Sequence, residues 1–234
     1  MPSNLRLDSV LKDHRHEFSR VVPFDETRDS LLRLDFTENN PDLTPADIAD
    51  TEKFATYIKT KLATSGAAYG IGGYGEHRTL YGRSRHFDSG EEPRRLHLGT
   101  DIWGPAGTRV MAPLQGIIHS FAFNNNESDY GATIILTHIL DGLSFYTLYG
   151  HLSLNSLKNL YEGKRIVGGE VFTEFGMRFE NGNWPPHLHF QIIRDLGNWN
   201  GDYPGVCRYS EKEHWLDNCP DPDQILGLKS FVAV

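Results

Sequence analysis

Two histidines at a spacing of two residues could do chemistry together. His187 and His189 alternate with apolar residues in a run typical of a β-strand, so both imidazoles project from one face, about 6.5 to 7 Å apart along the strand. One of them can ligate a metal ion while the other reaches a group bound to that ion. The plain alternative is a pair of hydrogen-bonded strand histidines.

A second pattern combines a histidine with a carboxylate. Gly99 lies between His97 and Asp101, and Gly-Pro-Ala-Gly follows at 104–107, which favours a strand or loop edge over a helix. Together with His189 this pair would offer two neutral imidazoles and one carboxylate, a ligand set suited to catalytic zinc with a fourth position left for water. The carboxylate offsets only half of the zinc charge, so the ion can still acidify water and polarise a carbonyl.

His151 supplies a further imidazole at the end of the strongest predicted strand. If His151 and His187 flank the open metal position, one can take a proton from the bound water. The other can stabilise an oxyanion or protonate a leaving amine. An imidazole with a pKa of about 6.5 suits either role.

The elements that must position these residues are strands. From about residue 66, glycines punctuate the sequence and apolar residues alternate or form short runs, which is typical of β-sheet. Asp141-Gly142 separates two β-rich runs, 132–139 and 143–149, and predicts a hairpin turn. Two more strands are expected at 108–112 and 117–121.

Residues 1–65 are expected to be mostly helical, because apolar residues recur there at three-to-four spacing. The second helix has Thr44 as its cap, Pro45 at its first position and Asp47 in its first turn, and should end at Gly66. We therefore divide the chain into an N-terminal helical segment, 1–65, and a mainly β domain, 66–234.

Two familiar motifs are matched only in part. Residues 70–75 have the letters G-x-G-x-x-G, but a helix precedes them and no helical apolar face follows, so we interpret them as a flexible loop and not as a dinucleotide site. His16-Glu17 begins the H-E-x-x-H zinc pattern, but Arg20 stands where the second histidine is required, which excludes that class.

Composition narrows the function classes further. The 234 residues carry 23 Lys+Arg and 31 Asp+Glu, a net charge of −8, which argues against a nucleic-acid partner. No run approaches the roughly 18 apolar residues of a membrane span, and the chain does not begin with a secretory signal. We expect a cytoplasmic protein, or an extracytoplasmic one if a signal is missing from this chain. Whether Cys207 and Cys219 pair is undecided, and so is the oligomeric state.

Four ordered blocks between residues 95 and 195 resemble those of one family, the lysostaphin-type or LytM-like zinc endopeptidases. The blocks are His97-x-Gly99-x-Asp101 with Gly107-Thr108-x-Val110-x-Ala112-Pro113-x-x-Gly116, then Tyr130-Gly131 with His138, then Leu148-Tyr149-Gly150-His151-Leu152, and finally His187-Leu188-His189-Phe190. Four blocks in consistent order are far more specific than any one of them.

The resemblance implies one zinc ion bound by His97, Asp101 and His189, with His151 and His187 as the catalytic pair. It implies a largely antiparallel β-sheet sandwich core with a zinc groove, and with the expected N-terminal helices the protein would be α+β overall. The implied activity is hydrolysis of peptide bonds, as in peptidoglycan-derived peptides, next to glycine or a D-amino acid. Four other histidines are expected to be structural: His77, His86, His119 and His138.

The sequence also departs from this family. Residues 181–186 replace a small-residue stretch, and Trp184 with two prolines would narrow the rim of the groove. An aromatic C-terminal extension either lines the groove or covers a sheet edge; its members are Trp199, Tyr203, Tyr209 and Trp215. A solvated loop containing Arg83, Arg85, Arg94 and Arg95 is expected before the metal motif, although these arginines could instead meet a substrate carboxylate.

Two other functions stay open. One is a non-catalytic LytM-like module that binds peptide or activates a partner, although such modules typically lose ligands and this chain keeps all five positions. The other is a phosphocarrier with paired histidines, which would give Asp101 no role. The segment 1–65 could be a cap, a dimerisation element or a latch over the groove, and its deletion should raise activity if it is a latch.

Overall fold

A computed structural model of the chain describes residues 3–78 and 92–233; His86, Arg83 and Arg85 lie outside them. The helices are α1 (Ser3–Asp13), α2 (Pro45–Ala49), α3 (Thr51–Ser65), α4 (Lys212–Asn218) and α5 (Asp223–Leu226). Among the described residues, no helix is long and apolar enough to cross a lipid bilayer. The strands are β1 (Leu31–Leu34), β2 (Tyr69–Gly72), β3 (Arg94–His97), β4 (Thr100–Trp103), β5 (Arg109–Met111), β6 (Gly116–Asn124), β7 (Gly131–Leu140), β8 (Leu143–Leu152), β9 (Arg165–Ile166), β10 (Val171–Glu174), β11 (His187–Ile193), β12 (Val206–Arg208) and β13 (Val232–Ala233).

The described strands build one large sheet and two small ones. The large sheet has the order β13-β1-β2-β4-β11-β8-β7-β6-β9, while β10 pairs with β5 and β12 pairs with β3. Strand β1 runs parallel to both β2 and β13, and the pairings of the other described strands are antiparallel. The mainly β, α+β class is confirmed, with a parallel edge that makes the large sheet mixed.

The central strand β11 is buried along its whole length. Leu188, Phe190 and Ile192 belong to one apolar cluster, which also holds residues from α1 and α5. Ile193 belongs to a second cluster, on the face that His187 and His189 share by the two-residue period of a strand. The predicted division of this strand into an apolar face and a histidine face is therefore confirmed.

The hairpin predicted at Asp141-Gly142 is confirmed. Leu140 pairs with Leu143, so the turn has two residues, and Asp141 and Gly142 both have positive φ, 48° and 75°. This is the combination that a type I′ turn requires. The hairpin joins β7 to β8 and so delivers His151 near the end of β8.

The second predicted helix begins and ends where expected but is broken in the middle. Thr44 Oγ1 accepts from the Asp47 N–H at 3.2 Å, the Asp47 carboxylate accepts from the Thr44 N–H at 3.2 Å, and Gly66 ends α3 with a φ of 68°. Asp50 is extended, and its carboxylate accepts two N–H groups of the next turn. The single predicted helix is therefore wrong, because Asp50 caps α3 and does not continue α2.

Two expectations about the N-terminal region need correction. The segment 1–65 contains a strand, β1, whose Leu31 and Leu34 are buried and which lies between β13 and β2. Residues 69–72 form β2 and pair with β1 and β4, so the flexible-loop interpretation is wrong for this part of the glycine motif. Four-residue strands buried by long-range pairing leave little periodicity in the sequence.

Candidate metal centre

Three strands bring His97, Asp101 and His189 together. β4 and β11 are antiparallel neighbours whose register sets His189 opposite Asp101, and His97 is the last residue of β3. His97 Nε2 lies 3.0 Å from His189 Nδ1, and Asp101 Oδ1 lies 3.1 Å from His189 Nδ1 and 3.3 Å from His97 Nε2. All three side chains are buried.

The second ring nitrogen of each of these imidazoles donates to an oxygen. His97 donates from Nδ1 to the Gly73 carbonyl at 2.9 Å, and His189 donates from Nε2 to Gln191 Oε1 at 2.9 Å. The amide nitrogen of Gln191 donates to the Pro204 carbonyl, which fixes the orientation of that amide. Both imidazoles therefore carry their proton away from the cluster and turn a lone pair toward its centre.

This donor set fits a zinc ion. Three acceptor atoms 3.0 to 3.3 Å apart with no proton between them repel one another unless a cation lies among them. Around tetrahedral zinc with bonds of about 2.0–2.1 Å, neighbouring ligand atoms are about 3.3–3.4 Å apart. The observed spacing is close to that value, and two imidazoles with one carboxylate are typical ligands of catalytic zinc.

The protonation states of two of these residues also favour metal binding. Burial lowers the pKa of His97 to about 4, and the positive charge of Arg78 acts in the same direction. Burial alone would raise the pKa of Asp101, but His97 and Arg78 hold that pKa well below its usual range. At neutral pH His97 is therefore a neutral imidazole and Asp101 a carboxylate, the forms that bind a metal ion.

Gly99 lies directly against the ring of His189. A Cβ at this position would be 2.5 Å from His189 Cε1 and Nε2, and 2.8 Å from the Phe190 carbonyl oxygen. Any other residue at 99 would push the ring of His189 away from its place. Close approach is thus the physical reason for the glycine between His97 and Asp101.

His151 and His187 lie beside this cluster. Their ring centroids are 4.1 Å apart, and His151 lies 6.4 Å from His189 by the same measure. His151 donates from Nδ1 to the Asn181 carbonyl at 2.9 Å, and His187 donates from Nδ1 to the Pro185 carbonyl at 2.8 Å. The nitrogen that stays free to accept a proton is therefore Nε2 in both rings.

The surroundings of this pair keep both rings neutral. Burial lowers the pKa of His187 to about 4. Burial also lowers the pKa of His151 well below its ordinary value, with His187 and His189 adding to the effect. Trp103 stacks on His187 with centroids 3.8 Å apart and an angle of 12° between the rings, which fixes the plane of that imidazole.

A β-bulge aims His151 at the site. The register between β7 and β8 shifts between Ala132 and Ile134, where Gly150 and His151 of β8 face a single residue of β7. His151 has a φ of 61°, a left-handed conformation that is uncommon for residues other than glycine. Bulges of this kind redirect a side chain next to functional sites.

A cavity opens at this cluster and extends toward the C-terminal part of the chain. Asp101, His151, His187 and His189 are among the residues that line it. Aromatic side chains form much of its remaining wall: Trp103, Tyr130, Trp184, Trp199 and Tyr203. The sequence left open whether the aromatic extension lines the groove or covers a sheet edge. Trp199 and Tyr203 line the groove.

Residues 95–201 match Peptidase family M23. The match covers a little under half of the chain, and over that segment the chain is similar to the M23 peptidases. All five residues singled out from the sequence lie within the matched segment, and the resemblance to lysostaphin-type endopeptidases is confirmed. The roles of the five residues stay predictions.

One curated relative and two solved structures illustrate the similarity. The L-Ala--D-Glu endopeptidase of Bacillus subtilis (strain 168) is 28% identical over 146 residues, which cover 59% of this chain and 41% of the relative. The chain therefore spans less than half the length of that relative. The catalytic domain of lysostaphin from Staphylococcus simulans is 23% identical, with 69% of this chain and 96% of that domain covered and a TM-score of 0.39. A zinc-containing peptidase from Vibrio cholerae is 24% identical, with 42% of this chain and 27% of that protein covered and a TM-score of 0.33.

Sequence reasoning missed three residues that contact the candidate site. Gln191 accepts from His189, and its place two residues further along the histidine face of β11 was a usable signal. The Tyr130 hydroxyl lies 3.4 Å from His189 Nε2. The sequence analysis used Tyr130 only as part of the Tyr130-Gly131 block and gave it no role at the site. Arg78 contacts Asp101 from outside the M23 match, and no local pattern pointed to it.

The histidines expected to be structural have local partners where the chain is described. His138 donates from Nδ1 to the Gln115 carbonyl at 2.9 Å, and its Nε2 lies 2.7 Å from Thr147 Oγ1. His119 lies 2.8 Å from the Ser120 hydroxyl, and His77 pairs with Leu96 through the backbone. These contacts are those of ordinary strand and bridge residues.

Proposed function

We propose that this protein is a zinc-dependent endopeptidase whose substrates are peptides of the bacterial cell-wall type. His97 Nε2, Asp101 Oδ1 and His189 Nδ1 would hold one zinc ion. The observation that carries the proposal is the convergence of these three acceptor atoms beside two neutral imidazoles. When bound, zinc supplies a Lewis acid that lowers the pKa of water and polarises a peptide carbonyl.

His151 and His187 would move the protons of the reaction. Their Nε2 atoms are free to accept, and burial lowers both pKa values, so both rings are unprotonated at neutral pH and in the form that can take a proton. One ring accepts a proton from the attacking water, and a proton is returned to the amine as it leaves. Because the rings are 4.1 Å apart, two positive charges would repel each other, so the pair carries one proton at a time.

The cavity wall supports a peptide as substrate. Trp184 is nearly fully buried, and Trp199 is 44% exposed, so one ring forms a fixed wall while the other meets solvent at the rim. An aromatic wall of this kind can pack against the backbone and side chains of a bound peptide. The name of the Bacillus subtilis relative supports testing peptides that contain D-amino acids.

The test combines metal analysis with a peptide library. Purified wild-type protein should contain about one zinc ion per chain, His189→Ala should lose it, and His119→Ala should keep it as the matched control. The wild type should then cleave members of a library rich in glycine and D-amino acids, with the cleaved bond identified by mass spectrometry.

Three outcomes would contradict the proposal in different ways. Protein without zinc would remove the metal site and with it the peptidase. Zinc-loaded protein inert on the whole library would indicate a peptide-binding module. Unchanged zinc content in Asp101→Asn would overturn the ligand assignment and reopen the phosphocarrier alternative.

A further inference from the structure

Segment 73–78, which lies outside the M23 match, runs beside strand β3. It follows β2, and backbone hydrogen bonds tie it to the strand that ends in His97. These bonds run from the Gly75 N–H to the His97 carbonyl (2.9 Å), from the His97 N–H to the Glu76 carbonyl (3.0 Å) and from the Arg78 N–H to the Arg95 carbonyl (2.9 Å). The same segment supplies the Gly73 carbonyl that accepts from His97 Nδ1.

The side chain of Arg78 ends at the metal cluster. Only 1% of it is exposed, as is true of few arginines. Nη1 donates to Asp101 Oδ2 at 2.5 Å, and Nε donates to Glu76 Oε2 at 2.8 Å. The guanidinium also lies over the ring of Phe36, 5.3 Å from its centroid. Nη2 donates in addition to the Gly73 carbonyl at 3.4 Å, and together these contacts hold the guanidinium in one place.

The backbone of β2 leaves space for this guanidinium. A Cβ at Gly72 would lie 2.7 Å from Arg78 Nη2 and 3.2 Å from Trp103 Nε1. The second glycine of the G-x-G-x-x-G letters therefore has a packing role, because only glycine lets the arginine pass close to β2.

Because Arg78 contacts Asp101, the two carboxylate oxygens of Asp101 have different partners. Oδ2 accepts from Arg78, while Oδ1 faces His97 and His189 at 3.3 and 3.1 Å. A carboxylate without such a partner can rotate and present one oxygen or both to a metal ion. With Oδ2 occupied, the carboxylate is held so that one oxygen faces the cluster.

We propose that Arg78 is a positioning residue of the metal centre, fixing Asp101 so that Oδ1 alone is presented to the ion. Glu76 serves as the anchor of the guanidinium and balances its charge. The inference rests on the zinc site proposed above. It adds that the M23 match, residues 95–201, does not contain every residue that shapes its own metal site.

The test compares Arg78→Lys with wild type and with Arg109→Lys, an exposed arginine of β5 that serves as control. Lysine keeps the charge but cannot reproduce the planar fork that bonds two carboxylates at once. Zinc dissociation constants are measured by competition with a chromophoric chelator. Each protein is also loaded with Co2+, whose visible spectrum reports the number and arrangement of ligands.

We expect Arg78→Lys to bind zinc about 10- to 100-fold more weakly, the usual effect of losing a partner of a metal ligand, and to show an altered Co2+ spectrum. Arg109→Lys should match the wild type in both measurements. Glu76→Gln keeps Arg78 but removes the charge of the carboxylate that holds its guanidinium. The zinc affinity of Glu76→Gln should therefore lie between those of the wild type and Arg78→Lys. If Arg78→Lys does not fold, Glu76→Gln decides the question with the same measurements.

The outcomes separate this inference from the proposed function. A wild type that binds no zinc removes both. A wild type that binds zinc, together with unchanged affinities and Co2+ spectra in the folded variants, leaves the function standing and overturns the role of Arg78. A loss of thermal stability in chelator, with zinc affinity unchanged, would identify the buried ion pairs as structural only.

Discussion

At the scale of single residues, backbone carbonyls fix the proton position in three of the site's imidazoles. His97, His151 and His187 donate from Nδ1 to the carbonyls of residues 73, 181 and 185. A carbonyl is present whatever the side chain, so these three contacts do not depend directly on the type of residue at the partner position, although the Asn181 side chain holds its own loop through bonds to Gly176 and Trp184. Asp101 and His189 depend instead on the side chains of Arg78 and Gln191, so those two positions are the sensitive ones.

His151→Ala and His187→Ala should each lower kcat by about 10²- to 10⁴-fold, because each removes a proton acceptor next to the reacting groups. Zinc content should stay the same, since neither residue belongs to the ligand cluster. The double variant should lose little more than the single ones if the rings act as a unit. Steady-state kinetics with metal analysis check this, and a loss of zinc in either single variant would contradict it.

His138 should make the stability of the fold sensitive to acid. Burial lowers its pKa to about 4, against about 6.5 in an unfolded chain. Between these two pH values His138 is therefore protonated in the unfolded state and neutral in the folded state. The stabilisation is complete above about pH 6.5 and is lost as the pH falls toward 4, by up to about 1.4 kcal/mol per pH unit. Urea unfolding of His138→Gln in chelator should give a flatter pH profile than the wild type; parallel profiles would rule His138 out as a source.

At the scale of elements, the β7–β8 hairpin shows how local sequence sets the register that delivers a site residue. The two-residue turn fixes Leu140 against Leu143, and the ladder then runs to the bulge at Gly150 and His151. A slip of one residue would exchange the two faces of β8 and turn His151 away from His187.

Gly142→Ala should destabilise the protein by about 1 kcal/mol, since the turn needs a positive φ that a side chain disfavours. A Cβ at this position meets no atom within 4 Å, so the effect isolates backbone conformation. Gly142→Asn should cost less, because asparagine tolerates the left-handed region. Chemical denaturation measures both, and equal losses would point to a cause other than φ.

Local patterns predicted the hairpin, the alternation of β11 and the capping of α2, because each depends on residues within one turn or strand. The convergence of His97, Asp101 and His189 was inferred from residue chemistry and family resemblance. β1 and Arg78 could not be predicted in this way. The first is a strand because of its long-range partners, and the second contacts a carboxylate 23 positions away.

At the scale of the whole molecule, the N-terminal segment packs against Trp103, which in turn contacts His187. The ring centroids of Phe36 and Phe54 lie 5.4 and 5.6 Å from that of Trp103, and Trp103 stacks on His187. Every residue that lines the described cavity lies at position 78 or later. This arrangement favours a supporting role for residues 1–65 over the latch considered from the sequence.

Deletion of residues 1–65 should therefore lower both stability and activity, whereas release of a latch would raise activity. Phe54→Ala makes the same test in a chain of full length, because Phe54 is fully buried and its truncation should cost about 3–5 kcal/mol. Thermal unfolding and kcat on a cleaved peptide are the measurements. Higher kcat in either variant would favour the latch.

The order of the large sheet also bears on how the protein behaves at high concentration. At its two margins lie β13 and β9, each only two residues long. Unpaired backbone groups at a sheet margin are templates on which a second chain can add a strand, and very short marginal strands limit that addition. Of the described residues, the long strands β7, β8 and β11 lie inside the sheet with neighbours on both sides. The nine-residue β6 differs, because β9 pairs only with its Gly116 and Ile117, so the rest of its outer side is where a second chain would most readily add a strand.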